Sequence, residues 1–209
     1  MAIIAVVSNK GGTGKTTLAM SLAAGLLRDD SVMLIDADPQ QSAYQWRLVG
    51  EDRPGLPPVV AVAHGLESTV KALSESHQHL VIDCPPSIKS EQSGRVLRLA
   101  DIALVPVQPS PMDLWATAPI ARIIAELRAE NPRLRGFIVM SQIESRTTLS
   151  RLMPDAVAEL DLPVAQAMLR RRSIHRHCAL EGRTIFQSGR RGADAVAEID
   201  QLIKEIFRP

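Results

Sequence analysis

Ser8-Asn9-Lys10-Gly11-Gly12-Thr13-Gly14-Lys15-Thr16-Thr17 is the stretch that decides the fold. It follows an apolar run, Ile3-Ile4-Ala5-Val6-Val7, and precedes a helical pattern carried by Leu18, Ser21, Leu22, Gly25 and Leu26. Strand, glycine-rich turn and helix start are the parts of a phosphate cradle. Closely spaced glycines let the backbone curl until several N–H groups face one anion, and the helix N-terminus adds its partial positive charge. In the pattern G-x-x-x-x-G-K-[ST], Lys15 reaches the β- and γ-phosphates and the Thr16 hydroxyl ligates Mg²⁺. Two departures stand out. The first glycine of the pattern is replaced by Asn9, and a second lysine, Lys10, follows it.

Outward from this loop, apolar runs alternate with helical patterns. Strands are expected at Ile3–Ser8, Val32–Asp36, Val59–Val62, Leu80–Asp83, Ile102–Val107 and Phe137–Ser141, with another near Pro163–Ala167. Helices are expected near Thr16–Arg28, Leu66–Ser76, Ser90–Leu99, Leu114–Ala129, Leu149–Leu160 and Ala193–Phe207. Such alternation predicts an α/β fold: a single domain over residues 1–209, with a mostly parallel sheet and helices on both faces. Ligands on these sheets sit at the carboxyl ends of the strands. The Pro- and Gly-rich stretch Arg53-Pro54-Gly55-Leu56-Pro57-Pro58 reads as a loop, not a domain boundary.

The other chemistry-bearing stretches fall at those strand ends. The second strand closes with Leu34-Ile35-Asp36-Ala37-Asp38-Pro39-Gln40, two carboxylates flanking one residue. Carboxylates beside a metal–triphosphate hold metal-bound water or orient the attacking water. Leu80-Val81-Ile82-Asp83 is an apolar strand that delivers one aspartate at its end, followed by Cys84-Pro85-Pro86-Ser87. Asp83 is expected to hold Mg²⁺ through water, since Mg²⁺ keeps much of its hydration. Cys84 is read as a small buried residue.

The bulk numbers are permissive: 209 residues, 45% hydrophobic, 3% aromatic and a formal net charge of +1. That is enough for one sizeable aliphatic core. No apolar run approaches the length of a membrane span, and no secretory leader is read at the N-terminus. The two cysteines, Cys84 and Cys178, have no metal-ligand spacing, and reduced thiols in a cytoplasm are expected. Near-neutrality hides a basic stretch. Between Met168 and Gly192 lie Arg170, Arg171, Arg172, Arg176, Arg183, Arg190 and Arg191, with Glu181 the single acid. Clustered arginines neutralise phosphates without reading sequence, and the scarcity of aromatics argues against base stacking on single strands.

With Lys10, the D-x-D-P-Q segment and the strand ending in Asp83 in this order, the chain resembles the deviant Walker A ATPases. The resemblance is strongest to ParA-type partition ATPases, in the short form without an N-terminal helix-turn-helix. It implies that Lys10 crosses a dimer interface to the partner's nucleotide, that Asp38 positions the hydrolytic water, and that Asp36 supports the magnesium shell. Pro85-Pro86 resembles the family's γ-phosphate-sensing switch. Val105-Pro106-Val107-Gln108-Pro109-Ser110-Pro111-Met112-Asp113 resembles its proline-rich turn, which brings Pro109 and Asp113 to the nucleotide and dimer interface. Nucleotide contacts are expected from Lys10, Gly11, Gly12, Thr13, Gly14, Lys15, Thr16, Thr17 and Pro109. Lys10, Lys15 and Asp38 are the expected catalytic residues. Thr16, Asp36 and Asp83 are expected to serve the metal, with ATP and Mg²⁺ as cofactors.

Where many relatives place an asparagine after the strand ending Val139-Met140, this chain has Ser141-Gln142, so no base contact is named. The resemblance also implies ATP-dependent homodimerisation, non-specific duplex DNA binding through Arg170, Arg171, Arg172 and Arg190, nucleoid association in the cytoplasm, and a cargo-bound activator protein. The alternative is a MinD-type membrane ATPase, which needs a C-terminal helix that binds anionic lipid. The acidic residues Asp194, Glu198, Asp200 and Glu205 speak against that. A redox ATPase with an iron–sulfur cluster and a DNA-binding scaffold that does not turn over ATP are the further rivals.

Overall fold

The computed structural model describes residues 1–51, 53–87, 91–144, 160 and 162–208. Six strands form one sheet: β1 (Ala2–Val6), β2 (Val32–Asp36), β3 (Val59–Ala61), β4 (His79–Asp83), β5 (Ile102–Val107) and β6 (Arg135–Met140). Their order is β3-β2-β4-β1-β5-β6, and every pairing is parallel. Near-continuous apolar sequence at β1, β4 and β5 is what strands covered on both faces require. The stretch near Pro163–Ala167, expected as a strand, contributes an isolated parallel bridge, Ile138 to Val164, beside β6.

Alternation along the strands sorts side chains into two cores. Ile3, Ala5, Ile35, Leu80, Ile82, Ala103 and Val105 face α3 (Leu66–Ser74), α4 (Glu91–Leu99) and α5 (Pro111–Leu127). Ile4, Val6, Leu34, Val81 and Leu104 face α1 (Lys15–Leu26), α2 (Ser42–Val49), α6 (Ser173–Leu180) and α7 (Ala193–Ile206). The same alternation decides where the strand-end carboxylates go. Asp36 follows the parity of Leu34 and Asp83 that of Val81, so both turn toward α1. They are register partners on neighbouring strands.

Helices α2 and α6 are absent from the sequence expectations. Each buries little: Ala43 and Trp46 in α2, Cys178 in α6. A helix with so narrow an apolar stripe leaves a weak periodic signal. The expected helix Leu149–Leu160 lies outside the described residues except for its last position. α7 matches expectation, and its buried residues Ala195, Ile199, Leu202 and Ile206 pack in the same core as α1. A β-carbon on Gly25 of α1 would meet Ile203 Cδ1 at 2.7 Å, so this glycine permits the close approach of the two helices.

Candidate functional site

Residues 7–14 leave the end of β1 at the middle of the sheet and run straight into α1. Gly12 and Gly14 have φ of 78° and 95°, a region that side chains rarely adopt, so the glycines there are a requirement of the loop's curl. Ser8 ties the loop internally: its hydroxyl donates to the Lys10 carbonyl at 3.0 Å and accepts from Lys10 N–H and the Thr13 hydroxyl. Lys15 is buried, and its ammonium donates to the Lys10 carbonyl at 3.2 Å, folded over the loop. Burial lowers its pKa, opposed by the Asp83 and Asp38 charges.

Thr16 opens α1 over the end of β4 and donates its hydroxyl to Asp83 Oδ2 at 2.7 Å. The other oxygen, Asp83 Oδ1, is buried and has no hydrogen-bond partner. Burial pushes this carboxyl up to about 7, and the Thr16 hydrogen bond pulls the other way. A half-buried hydroxyl beside a buried, unsatisfied carboxylate oxygen has the hard oxygen chemistry of a Mg²⁺ site. Asp36 is placed differently. Oδ1 accepts the Asp38 N–H at 3.1 Å and Oδ2 the Tyr44 N–H at 3.0 Å, so both oxygens hold the corner between β2 and α2. Burial raises its pKa, offset by these amide bonds. Asp38 sits in that corner, half-buried, and its Oδ1 accepts the Gln40 N–H.

Lys10 points away from Lys15. Its ammonium pairs with Asp113 Oδ1 at 3.2 Å, with 38% of the lysine side chain and 13% of the aspartate exposed. Asp113 lies in the first turn of α5, capped by Ser110, and Asn9 reaches the same helix through the Ala116 carbonyl at 2.8 Å. The residue that replaces the usual glycine therefore fastens the loop to α5. Met112 and Trp115 flank Asp113 and are strongly exposed. Pro109 is half-buried in the turn between β5 and α5. Its neighbour Gln108, not among the expected site residues, donates to the Gly12 carbonyl at 2.7 Å. Ser141 and Gln142, noted in sequence only as a departure from relatives, also bind the loop, at the Thr13 and Gly12 carbonyls respectively. Side-chain amides reaching across strands carry no periodic signal that sequence could have shown.

Beyond Gly14 a cavity of about 190 Å³ opens, lined by Thr17, Leu18, Ser21, Gln142 and Leu169 and walled by Arg170, Arg171 and Arg172. Three of the four arginines expected on DNA thus border the loop's own cavity. Arg172 is bound to Glu198 at 2.7 Å and Asp194 at 3.0 Å, and Arg171 to Glu144 at 2.7 Å. Arg170 lies 3.9 Å from Glu198. Arg190 is exposed, in the short 3-10 turn Gly189–Arg191. Cys84 is fully buried, and Cys178 is buried 3.3 Å from the Ser188 hydroxyl. Among the described residues no group of His, Cys, Asp and Glu is arranged to hold a metal by itself, and no helix is long and apolar enough to cross a membrane.

The sequence pattern of the CobQ/CobB/MinD/ParA nucleotide binding domain matches residues 4–185. The chain is 36% identical over 206 residues to maintenance of carboxysome distribution protein A of Halothiobacillus neapolitanus, covering 98% of this chain and 95% of that one. It is 31% identical to the chromosome-partitioning ATPase Soj of Thermus thermophilus, covering 71% of this chain and 72% of that one. In fold, it superposes on a Cyanothece McdA–ATP complex with a TM-score of 0.78, at 17% identity, over 100% of this chain and 97% of that one. The Mg-ADP complex of the septum site-determining protein MinD from Pyrococcus horikoshii gives a TM-score of 0.72, at 18% identity, over 98% of this chain and 96% of that one. A glycine loop at the centre of an all-parallel sheet, a second lysine within it, and relatives matched along nearly the whole chain lead to one conclusion: the chain belongs to the ParA/MinD family of nucleotide-binding P-loop proteins.

Proposed function

We propose that this chain is an ATPase that dimerises on binding ATP and Mg²⁺, attaches to DNA without sequence preference, and positions or segregates an intracellular cargo with the help of a cargo-bound activator. The observation that carries this reading is the division of labour between two lysines. Lys15 folds over its own loop, whereas Lys10 is turned out of it to the rim, onto Asp113. A lysine in that position serves a second copy better than its own phosphates. The exposed Met112 and Trp115 beside it offer apolar surface for that copy to cover. The name of the Halothiobacillus relative, which concerns carboxysome distribution, supports a protein-bounded compartment as the class of cargo.

In this reading the Gly11–Gly14 backbone and Lys15 bind the triphosphate, Lys10 of the second copy completes the charge, and Asp38 orients the attacking water. Thr16 and Asp83 would hold Mg²⁺, which would supply neutralisation of the triphosphate's charge. Asp36 acts at one remove, by fixing the corner that carries Asp38. Turnover in the absence of dimer and activator is slow, since each site is incomplete until both are present. The membrane alternative is disfavoured by α7, whose apolar face is already packed in the core with α1.

Sedimentation of the chain with a non-hydrolysable ATP analogue and Mg²⁺ tests the reading. A dimer is expected, lost in Lys10→Ala although that variant still binds nucleotide. A monomer at saturating analogue overturns it.

A further inference from the structure

Gly12 and Thr13 present their carbonyls to side chains from two neighbouring strand ends. The Gly12 oxygen accepts from Gln108 Nε2 at 2.7 Å and from Gln142 Nε2 at 2.6 Å. The Thr13 oxygen accepts from the Ser141 hydroxyl at 2.8 Å. Gln108 follows β5, and Ser141 and Gln142 follow β6. Both lone pairs of one carbonyl are thus taken by amide donors, and the next carbonyl along is taken by a hydroxyl. Gln142, which makes one of these bonds, has a φ of 53°, a conformation uncommon for a residue with a side chain. Strain of that kind persists where the surroundings over-determine it.

In a planar trans peptide the C=O and the following N–H point in opposite directions. Fixing the Gly12 carbonyl therefore fixes the Thr13 N–H, and fixing the Thr13 carbonyl fixes the Gly14 N–H. The N–H groups of Gly11, Gly12, Thr13 and Gly14 find no acceptor among the described residues. A loop with two glycines at positive φ has many ways to turn its peptides, and only the turn that points these N–H groups inward makes an anion site.

We propose that Gln108, Ser141 and Gln142 are positioning residues that aim the Thr13 and Gly14 N–H groups at the phosphates of the bound nucleotide. The inference rests on the nucleotide reading above and adds the source of the loop's preorganisation. Glycine permits the cradle, and donors from β5 and β6 select it. The Ser141-Gln142 pair thereby acquires a role, since both side chains are engaged with the loop backbone.

The test uses the full chain and three variants, Gln108→Met, Gln142→Met and the double variant. Methionine keeps the length and flexibility of glutamine and removes the donor. Affinity for Mg-ADP is measured by calorimetry, and the ³¹P resonances of bound ADP are read at saturation. Loss of two hydrogen bonds predicts about a tenfold or greater fall in ADP affinity for the double variant. The β-phosphorus resonance should move toward that of free ADP while the α-phosphorus stays within its wild-type range. The thermal midpoint of the nucleotide-free protein should change little. Wild-type affinity in the double variant overturns the proposal, as does a loss of affinity with both phosphorus resonances unmoved, since the amides then act on the fold and not on the N–H groups. A wild-type chain that binds no ADP overturns the nucleotide reading itself, a result distinguishable from either.

Discussion

Asp83 carries an oxygen that is buried and unpartnered, a costly arrangement unless something other than protein completes it. Its carboxyl is raised from 3.8 to about 7, so between those values the folded chain holds a proton that the unfolded chain has lost. Stability of the metal-free protein therefore falls as pH rises through that window and levels off above it. Denaturant titrations in EDTA should show this fall from about pH 4 to about pH 7, by a few kcal/mol at most. Asp83→Asn should flatten the profile, raise the thermal midpoint at pH 8, and abolish Mg²⁺-dependent nucleotide binding. A variant no more stable than wild type at pH 8 would refute the account of Asp83 as a strained, metal-awaiting group. Much of this site is legible in residue order. Lys15, Thr16 and Asp83 are expected together and are found together, since a motif and a strand end specify positions as well as types. Asp36 is harder. Its sequence neighbours put it at a strand end, but only the backbone turn that follows shows both its oxygens serving amides.

At the scale of elements, the strands are legible because a doubly covered sheet forces unbroken apolar runs. β2 and β5 coincide with their expected limits, Val32–Asp36 and Ile102–Val107. Helices α2 and α6 are not legible, yet they meet at one of the tightest points of the molecule. A β-carbon on Gly50, at the end of α2, would lie 2.1 Å from the Gly182 carbonyl oxygen, just beyond α6. Trp46 reinforces the contact by donating its indole N–H to the Arg183 carbonyl at 2.9 Å. Here the clashing atom is backbone and has no rotamer through which to yield. Gly50→Ala should destabilise the fold by about 1–3 kcal/mol, read as a lower denaturant midpoint. An unchanged midpoint would mean that the two helices can slide apart. The packing role of Gly50 and Gly182 depends on residues more than a hundred positions apart and so has no local signature in sequence.

For the whole molecule, charge placement matters more than net charge. The basic stretch seen in sequence splits in two on folding. Arg172 is committed to Glu198 and Asp194, at the wall of the cavity beyond Gly14. Arg190 and Arg191 stand exposed on a short turn. If duplex DNA is gripped by the exposed group, replacing Arg190 and Arg191 with Ala should weaken binding and lower the salt slope by roughly one to two. Arg172→Ala should instead cost folding stability, because it leaves Glu198 half-buried with fewer partners. Equal slopes in wild type and the double variant would move the DNA footprint elsewhere. The sheet order carries another consequence, for assembly. β1 precedes the other five strands in sequence, yet its neighbours are β4 and β5, which end at Asp83 and Val107. On a ribosome, the strand that leads into the glycine loop lacks both neighbours until β4 is made and keeps one edge bare until β5 is made. A stalled nascent chain should acquire nucleotide-dependent protease resistance only after β5 has cleared the exit tunnel, so the glycine loop becomes competent long after its own residues are joined.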